Sequence, residues 1–299
     1  MSILELYRAV NASHWNILVP IYFFILSVSA GTVMVITLAE FLKIETIKML
    51  KRPGYIIGLA AIAIAPVFII LDLGKPSRFI NMLNPANFQI TSPMSWGGWL
   101  LIVFGITLLL ISKNYLIETF SPAATQAASA SQSSPSKNGF VFTLALLVAA
   151  YPGIELGIVN AKLLWHSELL PVYFITTTIL AGLAVLGLLL TVYKEKAISL
   201  SSYVLNGMFI TILLSLALIA FRTIILLGAG GTGSEIINAL WSSKVFVLGE
   251  LILGLIVPLI ILLFGKAKSN PILLFTVSML ILIGVFSMRY VLVMIGQAI

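Results

Sequence analysis

The sequence predicts an all-α integral membrane protein of eight transmembrane helices, arranged as two tandem, parallel-oriented four-helix bundles. Three observations carry this expectation: an apolar composition, eight long apolar runs and a motif that occurs twice. Hydrophobic residues make up 60% of the 299 and charged residues 9%, against about 25% charged in a soluble domain. A polypeptide of that composition cannot cover a water-facing surface, so its solvent is lipid. The net charge of +7 then reports on which loops face the cytoplasm, and it is a poor argument for nucleic-acid binding.

A bilayer core of about 30 Å takes about 20 apolar residues per helix. Eight runs meet that length: Ile17–Leu42, Pro53–Leu73, Pro93–Ser112, Val141–Val159, Leu169–Tyr193, Tyr203–Ala229, Val245–Phe264 and Pro271–Ile295. They are too long for barrel strands of about 10 residues, and backbone groups in lipid must be satisfied internally. Residues 1–16 lack a basic start and a small-residue cleavage site, so the first run is expected to remain in the mature protein. The connection Ser121–Asn138 is rich in Ser, Ala and Gln, a composition that buries too little apolar surface to fold. It divides residues 1–120, with the first three helices, from residues 139–168, with the fourth helix and its following loop. Residues 169–299 make the second bundle.

The repeat lies in the first and fifth helices. Pro20-Ile21-Tyr22-Phe23 leads to Ala30-Gly31, and Pro171-Val172-Tyr173-Phe174 leads to Ala181-Gly182, with the same spacing from proline to glycine and a histidine upstream in each, His14 and His166. Four helices separate the copies, so the two halves share an orientation, a duplication known in membrane proteins. Lys and Arg set that orientation. One side carries Lys43, Lys48, Lys51, Arg52, Lys113, Lys137, Lys194, Lys196, Lys266 and Lys268; the other carries Arg8, Lys75, Arg78, Lys162 and Lys244. The richer side is placed in the cytoplasm by the positive-inside rule, which puts both termini outside, in a cell membrane.

Ionisable side chains inside a bilayer cost about 2.5–3.5 kcal/mol each at the helix centre, so their positions are informative. Asp72, Glu155, Arg222, Glu250 and Arg289 all fall in the outer half, where they are expected to line a polar cavity or to pair between helices. Arg222, Glu250 and Arg289 occupy similar depths and are expected to form an ion network in the second bundle. Glu40 lies near the inner end and is expected to snorkel to water. The sequence has no cysteine, which excludes disulfides, thiolate chemistry and an iron–sulfur cluster held by this polypeptide. His14 and His166 sit at or before helix starts, poor positions for bis-histidine haem ligation, and His166 reads as a surface or hydrogen-bonding histidine.

His14-Trp15 through Ala30-Gly31, the loop motifs DLGKPSRF (from Asp72) and SPMSWGGW (from Ser92), Tyr151-Pro152-Gly153, Trp165-His166-Ser167 with Leu170-Pro171, and Arg289-Tyr290 with Gly296-Gln297 together resemble the polysulfide reductase membrane-subunit family, the NrfD/PsrC-like quinone-reactive anchors. The resemblance covers essentially the whole sequence. It implies an eight-helix subunit of a respiratory oxidoreductase without haem or iron–sulfur cluster of its own. Such a subunit exchanges electrons between a quinone, here of the menaquinone type, and a four-cluster ferredoxin-like iron–sulfur partner on the outer side. That partner serves a catalytic subunit, often a molybdopterin enzyme. The family's head-group ligands correspond to Asn11, His14 and Tyr151. Asn11 and His14 are three residues apart, about one helical turn, and so face one ligand together. Asp72 and Glu155 are the expected proton relays to outer water. The other reading is a secondary transporter or a proton-translocating protein, since duplicated bundles with buried charges also suit transport.

Overall fold

The computed structural model describes residues 15–44, 47–73, 75, 77–89, 91–120, 135–192, 198–264 and 270–298. Among these the protein is helical, and eight helices are long and apolar enough to cross a membrane. They are α1 (Leu18–Phe41), α2 (Lys48–Asp72), α3 (Pro93–Phe120), α4 (Pro135–Gly157), α5 (Leu170–Val192), α6 (Ile198–Gly228), α7 (Val245–Leu263) and α8 (Pro271–Ala298). All eight match the expected runs. The first part of the Ser/Ala/Gln connection lies outside the described residues, but its end does not: α4 begins at Pro135, four residues inside the stretch expected to be linker. Proline suits a first helical turn, because its missing N–H would have no partner there.

Hydrogen bonds fix which helix ends share a face. The backbone N–H of Asn16 donates to Asp72 at the end of α2, and the Trp165 indole N–H donates to the Leu292 carbonyl of α8. Trp15 and Trp165 stack, and Trp96 at the start of α3 meets Tyr151 of α4. All five tryptophans (Trp15, Trp96, Trp99, Trp165, Trp241) lie at or near this end; it is called the tryptophan face below. Indole favours the membrane–water boundary, where a ring that is mostly apolar can keep its N–H wet. Two short helices decorate the face, Ser77–Met82 and Gly231–Ser242. The second departs from the sequence expectation of a plain loop. It starts after Gly230, whose φ of 73° favours glycine, and it packs Ile236 and Leu240 inward.

Helices α1 and α5 form the centre: two thirds of each apolar span is buried, against 17% for α6, which is left to face lipid. The two copies of the repeated motif meet there. A Cβ on Gly31 would stand 2.0 Å from the Thr178 carbonyl oxygen, and one on Gly182 would stand 2.1 Å from the Gly31 backbone. Two backbones in direct contact exclude every side chain but hydrogen. Further along, the motif phenylalanines Phe23 and Phe174 pack edge to face at 6.0 Å. Without a hydrophobic drive between helices in lipid, such small-residue seams are a principal source of association.

The seventh span departs from α geometry. Val245–Ile256 is a π-helix, closed by a bond from the Val257 N–H to the Ile252 carbonyl five residues back. Its wider coil puts Gly249 and Gly254, five residues apart, against α8. A Cβ on Gly254 would lie 2.4 Å from the Gly284 Cα, and one on Gly249 would lie 2.4 Å from the Ser287 hydroxyl. The π-helix ends where Pro258 has no N–H to offer.

Candidate functional site on the tryptophan face

Three of the five site residues expected from the sequence are described, and the fold gathers them around the first third of α1. Asn11 and His14 lie outside the described residues. Asp72, the last residue of α2, accepts the Asn16 N–H at 3.2 Å, which ties the end of α2 to the start of α1. Six residues on, about 9 Å along the helix, the motif tyrosine Tyr22 lies buried beside Glu155 of α4. Tyr151, one turn before Glu155, completes the group.

Tyr151 is almost wholly buried, and the reason is the loop motif before α3. A Cβ on Gly97 would fall 2.1 Å from the Tyr151 ring and 2.7 Å from its hydroxyl. The ring therefore rests on the bare backbone of Gly97, while Trp96 presses against it at 5.6 Å and 74°. In the sequence the Trp-Gly-Gly stretch reads as a family signature and nothing more. The spacing within one motif gives no hint of a contact with a residue more than fifty positions away. Pro152 follows Tyr151 in α4, and Gly153 lets the helix touch Pro171, whose Cα would be 2.6 Å from an added Cβ.

A second group holds the residues that flank this site. The Gln297 side chain accepts the Trp15 N–H at 2.8 Å and returns a bond to the Trp15 carbonyl at 3.1 Å. The Gln297 carbonyl in turn accepts the Lys162 ammonium at 2.9 Å. Gly296 lies under the Trp165 indole, which stacks on Trp15 at 5.4 Å. One glutamine at the end of α8 thus joins the start of α1 to the α4–α5 connection. Gly296-Gln297 belongs to the family resemblance, but its role is not legible from spacing alone.

The expected ion network of Arg222, Glu250 and Arg289 does not form as direct pairs. Arg289 is fully buried and reaches into the α1–α5 seam. It donates to the Ser27 hydroxyl at 2.9 Å, to the Thr178 hydroxyl at 3.1 Å and to the Phe174 carbonyl at 3.3 Å, with its guanidinium 4.0 Å above the Phe174 ring. Glu250 accepts the Tyr173 hydroxyl. Arg222 donates to the Leu164 carbonyl at 3.0 Å. The reason is geometric: a guanidinium has five donors in a fixed fork, and the α1–α5 seam offers three oxygens and an aromatic face. Near the opposite face Glu40 is half-buried and paired with Lys51 of α2, so it does not snorkel to water alone. Among the described residues no group of three His, Asp or Glu stands ready for a metal ion.

Eight spans, a sealed central seam and a cluster of tyrosine and carboxylate side chains at one face define a multi-pass membrane protein. The sequence matches the polysulphide reductase NrfD family over residues 6–299, and the protein belongs to that family. Over 95% of its length it is 28% identical to the protein NrfD homolog of Haemophilus influenzae, covering 94% of that protein. It is 26% identical over 96% of its length to a polysulfide reductase subunit of Wolinella succinogenes, covering 95% of that subunit. A shorter match, 29% over 59% of this sequence and 41% of the relative, is to an Hdr-like menaquinol oxidoreductase integral membrane subunit of Archaeoglobus fulgidus.

Proposed function

We propose that this protein is the quinone/quinol-reactive membrane subunit of a respiratory oxidoreductase, passing electrons between a membrane quinone of the menaquinone type and an iron–sulfur partner on the tryptophan face. The observation that carries this reading is the seating of Tyr151 on Gly97 beside Glu155, next to an α1 whose start is tied to Asp72. Oxidation of a quinol releases two protons and two electrons, and the electrons leave through a redox centre that this cysteine-free subunit would borrow from its partner. The subunit's own residues would do the rest. Asn11, His14 and Tyr151 hold the two ring oxygens by hydrogen bonds. Glu155 and Asp72 accept protons at their carboxylate oxygens and deliver them to water at the face. The names of the relatives from Wolinella and Archaeoglobus, a polysulfide reductase subunit and a menaquinol oxidoreductase subunit, support the assignment.

The tryptophan face is taken as the outer side from the ten-to-five excess of Lys and Arg on the other. The iron–sulfur subunit and a further catalytic subunit, of molybdopterin type in much of the family, would dock outside it. The seam at Gly31 and Gly182 is taken as the boundary between two duplicated four-helix halves. Transport is the weaker reading, because Arg289 and Glu250 are held by neighbours on α1 and α5, as scaffold residues are.

The test is quinol-linked turnover of the intact complex. His14→Ala and Tyr151→Phe should each reduce it by more than about tenfold, the scale of one lost hydrogen-bonding or proton-transfer group. Gly97→Ala should do the same by displacing Tyr151. Assembly should survive in all three. Wild-type turnover at limiting and saturating quinol in His14→Ala and Tyr151→Phe would reject the head-group assignment.

A further inference from the structure

A cavity of about 500 Å³ opens on the tryptophan face between α4, α6 and the α4–α5 connection. It uses none of the residues of the proposed quinol site: Gly153, Ile154, Gly157 and Ile158 of α4 line it, whereas Tyr151 and Glu155 turn to α1 and α3. Its volume falls within the usual range for small-molecule sites, about 300–1,000 Å³. Gly157 adds no side chain to its wall. A Cβ there would meet nothing nearer than the carbonyl oxygens of Ser167 and Trp165, both at 3.9 Å.

The walls and the rim differ in chemistry. Ile158, Phe221 and Ile225 are exposed on the lipid-facing sides of α4 and α6, so an apolar tail lying in the cavity continues into the bilayer. The rim is His166, Ser167 and Glu168 at the level where α4 ends and α5 begins. Its charged acceptor is the Glu168 carboxylate, since the Trp165 and Ser167 carbonyls already accept the backbone N–H groups of Ser167 and Leu170. No cation answers Glu168 among the described residues. The Lys162 ammonium is spent on the Gln297 carbonyl and the Arg222 guanidinium on the Leu164 carbonyl. An anionic carboxylate beside apolar walls at headgroup depth favours a cationic donor on a hydrocarbon tail.

We propose that this cavity is a binding site for an aminophospholipid, recognised through its primary ammonium by Glu168. A phosphodiester two carbons from that ammonium falls within the same rim, where the His166 imidazole supplies a donor. The acyl tails run down the groove between Ile158 and Phe221. A quaternary headgroup has no N–H to give to Glu168, so the site separates ethanolamine from choline lipids. The lipid would wedge α4 against α6 without touching the quinol site.

The experiment uses the intact complex, exchanged into nanodiscs of phosphatidylcholine containing a minor fraction of phosphatidylethanolamine, with bound lipid counted by native mass spectrometry. Retained phosphatidylethanolamine should exceed its bulk fraction at least about fivefold, the scale of one charge-assisted hydrogen bond in partly wet surroundings. Glu168→Gln, at an exposed position, should bring retention down to the bulk ratio. Gly157→Leu should fill the cavity and remove bound lipid of either kind. The headgroup comparison on the wild-type protein stands even if a variant fails to fold. Equal retention of choline and ethanolamine lipids, or undiminished selectivity in Glu168→Gln, overturns the proposal. Recovery of menaquinol instead of phospholipid, lost in Gly157→Leu, also overturns it and gives the cavity to the quinone.

Discussion

Gly31→Ala places a methyl group where the Thr178 carbonyl oxygen already stands, 2.0 Å from the new Cβ. Ordinary contact begins near 3.4 Å, so α1 and α5 must part locally by about 1.4 Å. A gap of about 0.5–1 Å already forfeits a quarter to a half of each dispersion contact, and the seam includes the Phe23–Phe174 pair. Overpacking typically costs about 1–3 kcal/mol. Here backbone opposes backbone and no rotamer change relieves it, so the upper figure applies. Alanine returns about 1 kcal/mol of helix propensity. The clash therefore wins, with a net loss of about 2 kcal/mol. Gly182→Ala, which strikes the Gly31 backbone at 2.1 Å, should cost a similar amount. Because one separation relieves both clashes, the double variant should cost clearly less than the two single losses together. Thermal unfolding of the purified complex in detergent measures this. Gly105→Ala is the control, since its Cβ finds nothing nearer than 4.0 Å, and propensity should leave it as stable as wild type or more so. A Gly31→Ala protein that melts no earlier than Gly105→Ala would refute the direct backbone seam.

Three further outcomes follow from contacts named above. Arg289→Met should destabilise the protein by more than about 2 kcal/mol through lost hydrogen bonds to Ser27, Thr178 and Phe174; adding Glu250→Leu should recover little of it, and recovery of most of the loss in melting experiments would restore the direct ion pair. Gln297→Leu removes both bonds to Trp15 and should raise the quinol KM several-fold while the complex still assembles; an unchanged KM would show that Gln297 does not position the start of α1. Single cysteines at Ser77 and Ser242 should react with impermeant thiol reagents in intact cells and one at Ser136 should not; the reverse pattern would invert the orientation and move the partner's docking face.

The eight spans are legible in the sequence because hydropathy and length suffice for helices in lipid. The duplicated Pro-x-Tyr-Phe…Ala-Gly motif is legible too, yet its purpose is not. Along the sequence it suggests ancestry; in space it supplies the two glycines and two phenylalanines that close the α1–α5 seam. The seventh span resists reading for a different reason. Sequence patterns assume an i→i+4 ladder, whereas Val245–Ile256 bonds five residues back, so Gly249 and Gly254 share a contact face that a 3.6-residue period separates. Depth alone likewise groups Arg222, Glu250 and Arg289, but depth says nothing about azimuth around a helix. Arg289 turns toward Ser27 and Phe174, and Glu250 turns toward Tyr173.

The same distinction explains the two ends of the repeat. The motif tyrosines Tyr22 and Tyr173 each lie beside a glutamate, the partly buried Glu155 of α4 and the buried Glu250 of α7. Those glutamates have different surroundings. The Glu155 side lies next to the bare backbone of Gly97, where Tyr151 is seated and where the start of α1 is tied by Asp72 and Gln297. The Glu250 side is closed by the glycine contacts of α7 with α8 and by Arg289 across the seam. One tyrosine–glutamate pair thus lies beside the contacts that tie down the start of α1, and the other is locked into the packing of α7 on α8. On the reading proposed above, only the first can exchange protons with water, so the asymmetry of the closing contacts, more than the repeated motif itself, decides where the chemistry takes place.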